Sequence, residues 1–312
     1  MKGDTPRMRT VAWAIVGGLS AGCGSSSGDT GGRSLAEAGL GSEAGRADGN
    51  SEGGGLAADG ADGGVIGEAG EGDADASGAL NPNAAPGSNL DLSVWELQLP
   101  IGSVGDPTTI APGALEGGFH DAYFFTDMTD GAMTFFDPED GVTTPDSSYP
   151  RSELREMNIG GTAANWAIAG TNTLSATLAV TQVPDHVCVG QIHIGTAIEA
   201  GLAASTKPLL ELYYYANGTV ELAIEASPAG SQTSYSITTV PLGTRFSYTI
   251  QLTAAGAITL TVDGTPHTYT MPSSFEGYGM YFKAGDYDQT ADADAGATVG
   301  ATVKFYALRV SH

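Results

Sequence analysis

Between Leu90 and His312 the chain is a succession of short runs rich in β-branched and aromatic residues, divided by Gly, Pro, Asn and Asp. Thr173–Gln182, Leu209–Ala216, Thr219–Glu225, Tyr235–Val240, Phe246–Leu252, Ala257–Val262, Thr268–Met271, Gly279–Ala284 and Thr298–Val310 are such runs. Ala216-Asn217-Gly218 and Asp263-Gly264 read as hairpin turns, because Asn, Asp and Gly reach the left-handed backbone region that tight turns need. Many strands with turns at short intervals predict an all-β sandwich or barrel. The alternation of strand and helix that a parallel doubly wound sheet requires is missing.

The region before this domain reads differently. In residues 1–23, Lys2, Arg7 and Arg9 precede an apolar run from Val11 to Leu19, which is too short to span a bilayer but suits an export signal. The run ends at Leu19-Ser20-Ala21-Gly22-Cys23, which resembles a bacterial lipoprotein cleavage site. Cys23 is therefore a candidate lipidation site, with plain secretion as the alternative, and the expected location is secreted or outer-membrane. Residues 24–89 contain no aromatic residue and eleven acidic residues against Arg33 and Arg46. Too little apolar surface is available there to offset chain entropy, so the segment is expected to be a disordered acidic tether. Cys188, alone in the domain, reads as a small buried apolar residue, and no intrachain disulfide is expected.

Charge narrows the partners. The whole chain carries a formal net charge of −24, and from Asp91 onward seven Lys and Arg face 24 Asp and Glu. Such a surface disfavours nucleic acid. An anionic ligand is tolerable only if the few cations gather where it binds.

Three segments gather them. Residues two apart in a strand share a face. In Arg151-Ser152-Glu153-Leu154-Arg155, the two arginines and Glu153 therefore form a pre-paired strip whose guanidinium forks suit carboxylates. In Gln191-Ile192-His193 an amide and an imidazole share one face, while Ile192 turns to the core. In Tyr281-Phe282-Lys283-Ala284-Gly285-Asp286-Tyr287-Asp288-Gln289, the parity of Tyr281, Lys283, Tyr287 and Gln289 matches, provided the strand stays regular through Gly285. Read singly, these segments also fit a solvated edge strand, a structural histidine and an exposed strand. His186, Cys188 and His193 match no common zinc spacing, and His120, His267 and His312 read as surface residues.

In their order and wording the three segments resemble the motifs of alginate lyases of polysaccharide lyase family 7, and Leu92-Ser93-Val94-Trp95-Glu96-Leu97-Gln98-Leu99-Pro100 resembles that family's opening. The resemblance covers residues 90–312. It implies a jelly-roll β-sandwich of two antiparallel sheets with the substrate cleft on the concave sheet. It also implies β-elimination at the 4-O-glycosidic bond of a polyuronate, an anionic polysaccharide, with no metal or other cofactor and with a monomeric enzyme. Arg151, Gln191, His193 and Tyr287 would be catalytic; Glu153, Arg155, Tyr281, Lys283 and Gln289 would bind substrate. The site must neutralise the uronate carboxylate so that the C5 proton can leave. Arg151 and Gln191 would do this, Tyr287 would protonate O4, and the base would be His193 or Tyr287. A basic tyrosine would need the cations of Arg151, Arg155 and Lys283 to favour its phenolate. Ile192 tilts the expectation toward guluronate; polymannuronate and glucuronan remain open. The rivals are a glycoside hydrolase, which needs two flanking carboxylates, and a non-catalytic glycan-binding module.

Overall fold

The computed structural model describes residues 79–312. The expected export signal, Cys23 and most of the expected tether lie outside the described residues. Elements are numbered in chain order. A short helix α1 (Pro86–Asn89) precedes β1 (Trp95–Ser103), β2 (Asp106–Ile110), a second short helix α2 (Pro112–Glu116), β3 (Phe124–Thr126), β4 (Met133–Pro138) and β5 (Ser152–Glu156). The strands β6 (Thr171–Gln182), β7 (His186–Ala197), β8 (Pro208–Tyr215), β9 (Thr219–Glu225) and β10 (Gln232–Thr239) come next. Then come β11 (Phe246–Thr253), β12 (Ala257–Val262), β13 (Thr265–Thr270), β14 (Tyr278–Asp288) and β15 (Gly300–Ser311).

The strands form an eight-stranded sheet, β10-β9-β8-β7-β14-β5-β1-β2, and a seven-stranded sheet, β13-β12-β11-β6-β15-β4-β3, with every pairing antiparallel. This is the expected jelly-roll sandwich. β11 alternates strictly between buried and half-buried residues, as a strand with one face on the core must. Trp95, Phe124, Phe135, Phe282 and Phe305 are fully buried between the sheets; burying one such side chain contributes ~1.5–3 kcal/mol. Both expected turns form. Asp263 and Gly264 adopt φ of 46° and 76° between β12 and β13, and Gly218 adopts 85° between β8 and β9.

One expectation needs correction. The folded unit begins before residue 90: Leu80 packs against the core, and the Asn89 side chain donates to the carbonyls of Asn81 and Gly131. The tether expected through residue 89 therefore does not include residues 79–89. His312 is exposed, as expected, and its ring is held with Nε2 2.6 Å from Glu156 Oε1 and Nδ1 2.8 Å from Asn172 Oδ1. The buried Glu156 also accepts from the Phe282 amide and the Trp166 indole, which ties β5 to β14 beneath the cleft face.

Candidate active site

The three motifs fall on the adjacent strands β7, β14 and β5 at the centre of the eight-stranded sheet. Tyr281 pairs with His193, Lys283 with both Gln191 and Arg155, and Gly285 with Glu153. Residues with core-facing parity, Leu154, Ile192, Phe282 and Ala284, are fully buried between the sheets. The polar residues therefore face the other way, as strand parity requires.

Tyr287 keeps the parity of Tyr281 and Lys283, while the ladder beside it on β7 is irregular. Pairing of β14 with β5 stays in register through Gly285, whereas pairing with β7 slips by one between Ala284 and Tyr287. β7 itself bulges between Cys188 and Gly190 against β8. A bulge flips the parity of the residues beyond it. Consequently Cys188, buried as expected, does not join the main core but packs under the cleft with Tyr213, Ala223, Tyr215 and Tyr287. Gly285 has φ +149°, and a Cβ there would meet the Glu153 Cα at 2.8 Å. Only glycine lets the two strands approach this closely.

Glu153 anchors the cations. It is fully buried and accepts from Arg151 Nη1 at 3.3 Å, from Lys283 Nζ and from Gln191 Nε2. This corrects its expected role. With no exposed surface and its oxygens occupied, Glu153 is not open to the cleft; it orients Arg151, Lys283 and Gln191. Lys283 is 5% exposed, and burial together with the Arg151 charge brings its pKa down to about 8, against the pull of Glu153. The guanidinium of Arg151 lies 3.7 Å from the Tyr287 ring centroid, and that of Arg155 lies 4.0 Å from the Tyr281 ring centroid. Tyr281 in turn stacks on His193 with centroids 5.0 Å apart.

His193 is held neutral. Burial, then the Lys283 charge, lowers its pKa to about 3. Its Nδ1 lies 2.8 Å from the Ile194 carbonyl oxygen, which can only accept, so Nδ1 carries the proton and Nε2 keeps its lone pair. Tyr287 runs opposite to the expectation of a cation-stabilised phenolate. Burial raises its pKa more than Arg151 and its bond with Ser147 lower it, so it stays a phenol. Burial likewise outweighs Arg155 at Tyr281.

Two cavities flank this centre. One of about 480 Å³ is lined by Arg155, Asn165, His193, Thr196, Thr206 and Tyr281. The other, of about 380 Å³, is lined by Asp146, Thr206, Lys207, Glu211, Tyr287 and Gln289 among others. Thr206 borders both. Gln289 donates to the Tyr287 carbonyl at 3.1 Å and lines the second cavity, whereas Arg155 lines the first. The nine expected site residues thus share one face, with Glu153 beneath it. The motifs did not reveal Ser147, Glu211 or Lys207. For Glu211 a signal existed: Leu210-Glu211-Leu212-Tyr213 alternates, placing Glu211 beside Gln191. Burial raises the Glu211 pKa, while the Tyr213 hydroxyl donates to it at 2.6 Å.

The alginate lyase family model matches residues 90–312. An alginate lyase from Klebsiella pneumoniae is 29% identical over 286 residues, covering 73% of this chain and 91% of that protein. Among solved structures, alginate lyase A1-II', a member of polysaccharide lyase family 7, is 35% identical with a TM-score of 0.64, covering 73% of this chain and 99% of that one. An alginate lyase from Pseudomonas aeruginosa is 33% identical with a TM-score of 0.64, covering 71% and 99%. A variant of A1-II' is solved in complex with substrate (GGMG).

Proposed function

The chain belongs to the alginate lyases of polysaccharide lyase family 7, and from that premise we propose that it cleaves guluronate-containing alginate by β-elimination, with His193 as base and Tyr287 as acid. The substrate uronate lies across the face shared by β7, β14 and β5. Arg151 and the free amide hydrogen of Gln191 grip its carboxylate. Neutralising that group acidifies the C5 proton and stabilises the enolate-like transition state. His193 Nε2 takes the C5 proton, the bond from C4 to O4 breaks, and Tyr287 gives its phenolic proton to the departing oxygen. The product carries a double bond between C4 and C5. Imidazolium and phenolate then restore one another by proton transfer, so the cycle consumes no water and leaves no net charge.

The observation that carries this reading is the pairing of opposite protonation states on one face. His193 is neutral with Nε2 unengaged, and Tyr287 is a protonated phenol. Two groups poised apart suit guluronate, where proton and leaving group lie on opposite faces of the ring. On mannuronate a single residue could serve as both base and acid, but Tyr287 would first have to become a phenolate against its burial. Ile192 is fully buried, so any influence on this preference is indirect. A hydrolase is disfavoured because Glu153, the carboxylate in the motifs that parity would aim at the cleft, is wholly engaged below the surface.

The test is incubation with separate polyguluronate, polymannuronate and polyglucuronate, monitoring ultraviolet absorbance of unsaturated ends. Fastest release from polyguluronate supports the reading; fastest release from either other polymer overturns the preference. We also propose, from the order of charge and apolar residues before Cys23, that the chain is exported and lipid-anchored there. Cys23→Ser should then move the protein from the membrane fraction to the soluble one.

A further inference from the structure

One side chain outside the motifs touches the Tyr287 hydroxyl. Ser147, in the segment between β4 and β5, places its Oγ 3.0 Å from the Tyr287 Oη. The same Oγ donates to the Tyr149 carbonyl at 2.8 Å and accepts from the Tyr149 amide at 3.1 Å. A serine hydroxyl has one hydrogen and two lone pairs. Its hydrogen is committed to Tyr149 O and one lone pair to Tyr149 N–H. The remaining lone pair faces Tyr287, so in the resting enzyme the phenol donates to Ser147.

That arrangement cannot survive the reaction unchanged. Once Tyr287 has given its proton to the leaving oxygen, a serine lone pair would face a phenolate. Rotation about the Cβ–Oγ bond of Ser147 removes the conflict by moving its hydrogen from the Tyr149 carbonyl to the phenolate. No bond to that hydrogen breaks, and Ser147 stays neutral throughout. Other groups around the phenol cannot substitute for it. The Arg151 guanidinium lies against the ring face, and Lys283 Nζ is 5.8 Å from the ring centroid and bound to Glu153. Glu153 and Glu211 are acids whose charges oppose a phenolate. Asp146 lines the same cavity and is also an acid, and Lys207 in that wall is paired with Glu225 at 3.3 Å. Tyr149 meets the ring edge-on with centroids 6.4 Å apart.

We propose that Ser147 is a positioning residue for the leaving-group acid: it holds the neutral Tyr287 hydroxyl in place, then turns to donate to it as the proton departs. The proposal rests on Tyr287 acting as the acid, which Tyr287→Phe tests by itself. A hydrogen bond to developing charge is stronger than one to a neutral group. Loss of this one should lower kcat about tenfold.

The experiment compares S147A, S147C and S147T with wild type in steady-state kinetics on polyguluronate across pH. S147A should lose about tenfold in kcat with KM within about twofold. Its alkaline limb should move to higher pH, because a phenolate without that donor is harder to form. S147C, which keeps the size but offers only a weak donor, should behave like S147A, and S147T should restore both rate and limb. Wild-type kinetics in S147A would overturn the proposal. So would a raised KM with the alkaline limb unmoved, which is the signature of a residue that merely orders its loop. If S147A does not fold, S147C against S147T decides the same question: equal rates and limbs in the two overturn it.

Discussion

The guanidinium of Arg151 lies 3.7 Å from the centre of the Tyr287 ring, while its Nη1 is 3.3 Å from the buried Glu153. One side chain thus ties the phenol to the charged floor of the cleft. Lysine cannot reproduce both contacts, because it lacks the planar fork that stacks and pairs at once. Arg151→Lys should cost about 10²-fold or more in kcat/KM on polyuronate, measured under steady state. A loss under about threefold would place Arg151 outside the reaction.

Glu153→Gln should damage stability as well as rate. Removing its charge leaves Arg151 and Lys283 close together with no counter-ion in a buried setting. Breaking one partner of a buried ion pair costs ~3–5 kcal/mol, read as a lower urea midpoint with an unchanged slope. Binding of intact polymer should weaken too, because the cations lose their orientation.

His193 sets an acid limit. An unfolded histidine takes a proton near its ordinary value of about 6.5, while the folded site resists until about 3. The folded pKa is depressed, so this contribution to stability is present above the unfolded value and is lost as pH falls from about 6.5 toward 3. Thermal denaturation of wild type and His193→Asn across that window should show a steeper decline in the wild type. The acid limb of turnover should likewise lie below the ordinary histidine range.

Asp286 offers a stabilising substitution. Asp137, Asp286 and Asp288 are fully buried, and neither oxygen of Asp286 has a hydrogen-bond partner. Burial raises all three, Asp288 to about 6. An acid raised in the folded state costs stability as pH climbs from its unfolded value, about 4, through its folded one. Asp286→Val should therefore raise stability by ~1–3 kcal/mol at neutral pH, with a smaller gain near pH 4. A loss at neutral pH would mean that the pocket uses this carboxylate.

The strand pattern and the facing of the motifs were legible because alternation is a local property of sequence. Phe282 and Ala284 point inward and Tyr281 and Lys283 outward, as two-residue spacing demands. Where a bulge interrupts the ladder, local reading fails. Cys188 ends on the cleft side of β7, and Tyr287 meets it one register step away from the regular pairing. Burial depth was also illegible: Glu153 and Arg155 share a face, but strand packing alone puts Glu153 under the surface and leaves Arg155 in a cavity wall. Ser147 left no trace in sequence, because its role depends on a loop folding back over β14. Three acids buried in one place contradict what composition leads one to expect, and only coordinates reveal them.

The most direct test of the account pairs wild type with Tyr287→Phe on polyguluronate, measuring unsaturated ends by ultraviolet absorbance and polymer retention by affinity electrophoresis. Wild type should release unsaturated oligomers. The variant should retain the polymer while losing about 10²- to 10⁴-fold in rate, the usual worth of a general acid. Unsaturated product forming at near wild-type rate without the phenol, or reducing ends appearing with no double bond, would contradict it.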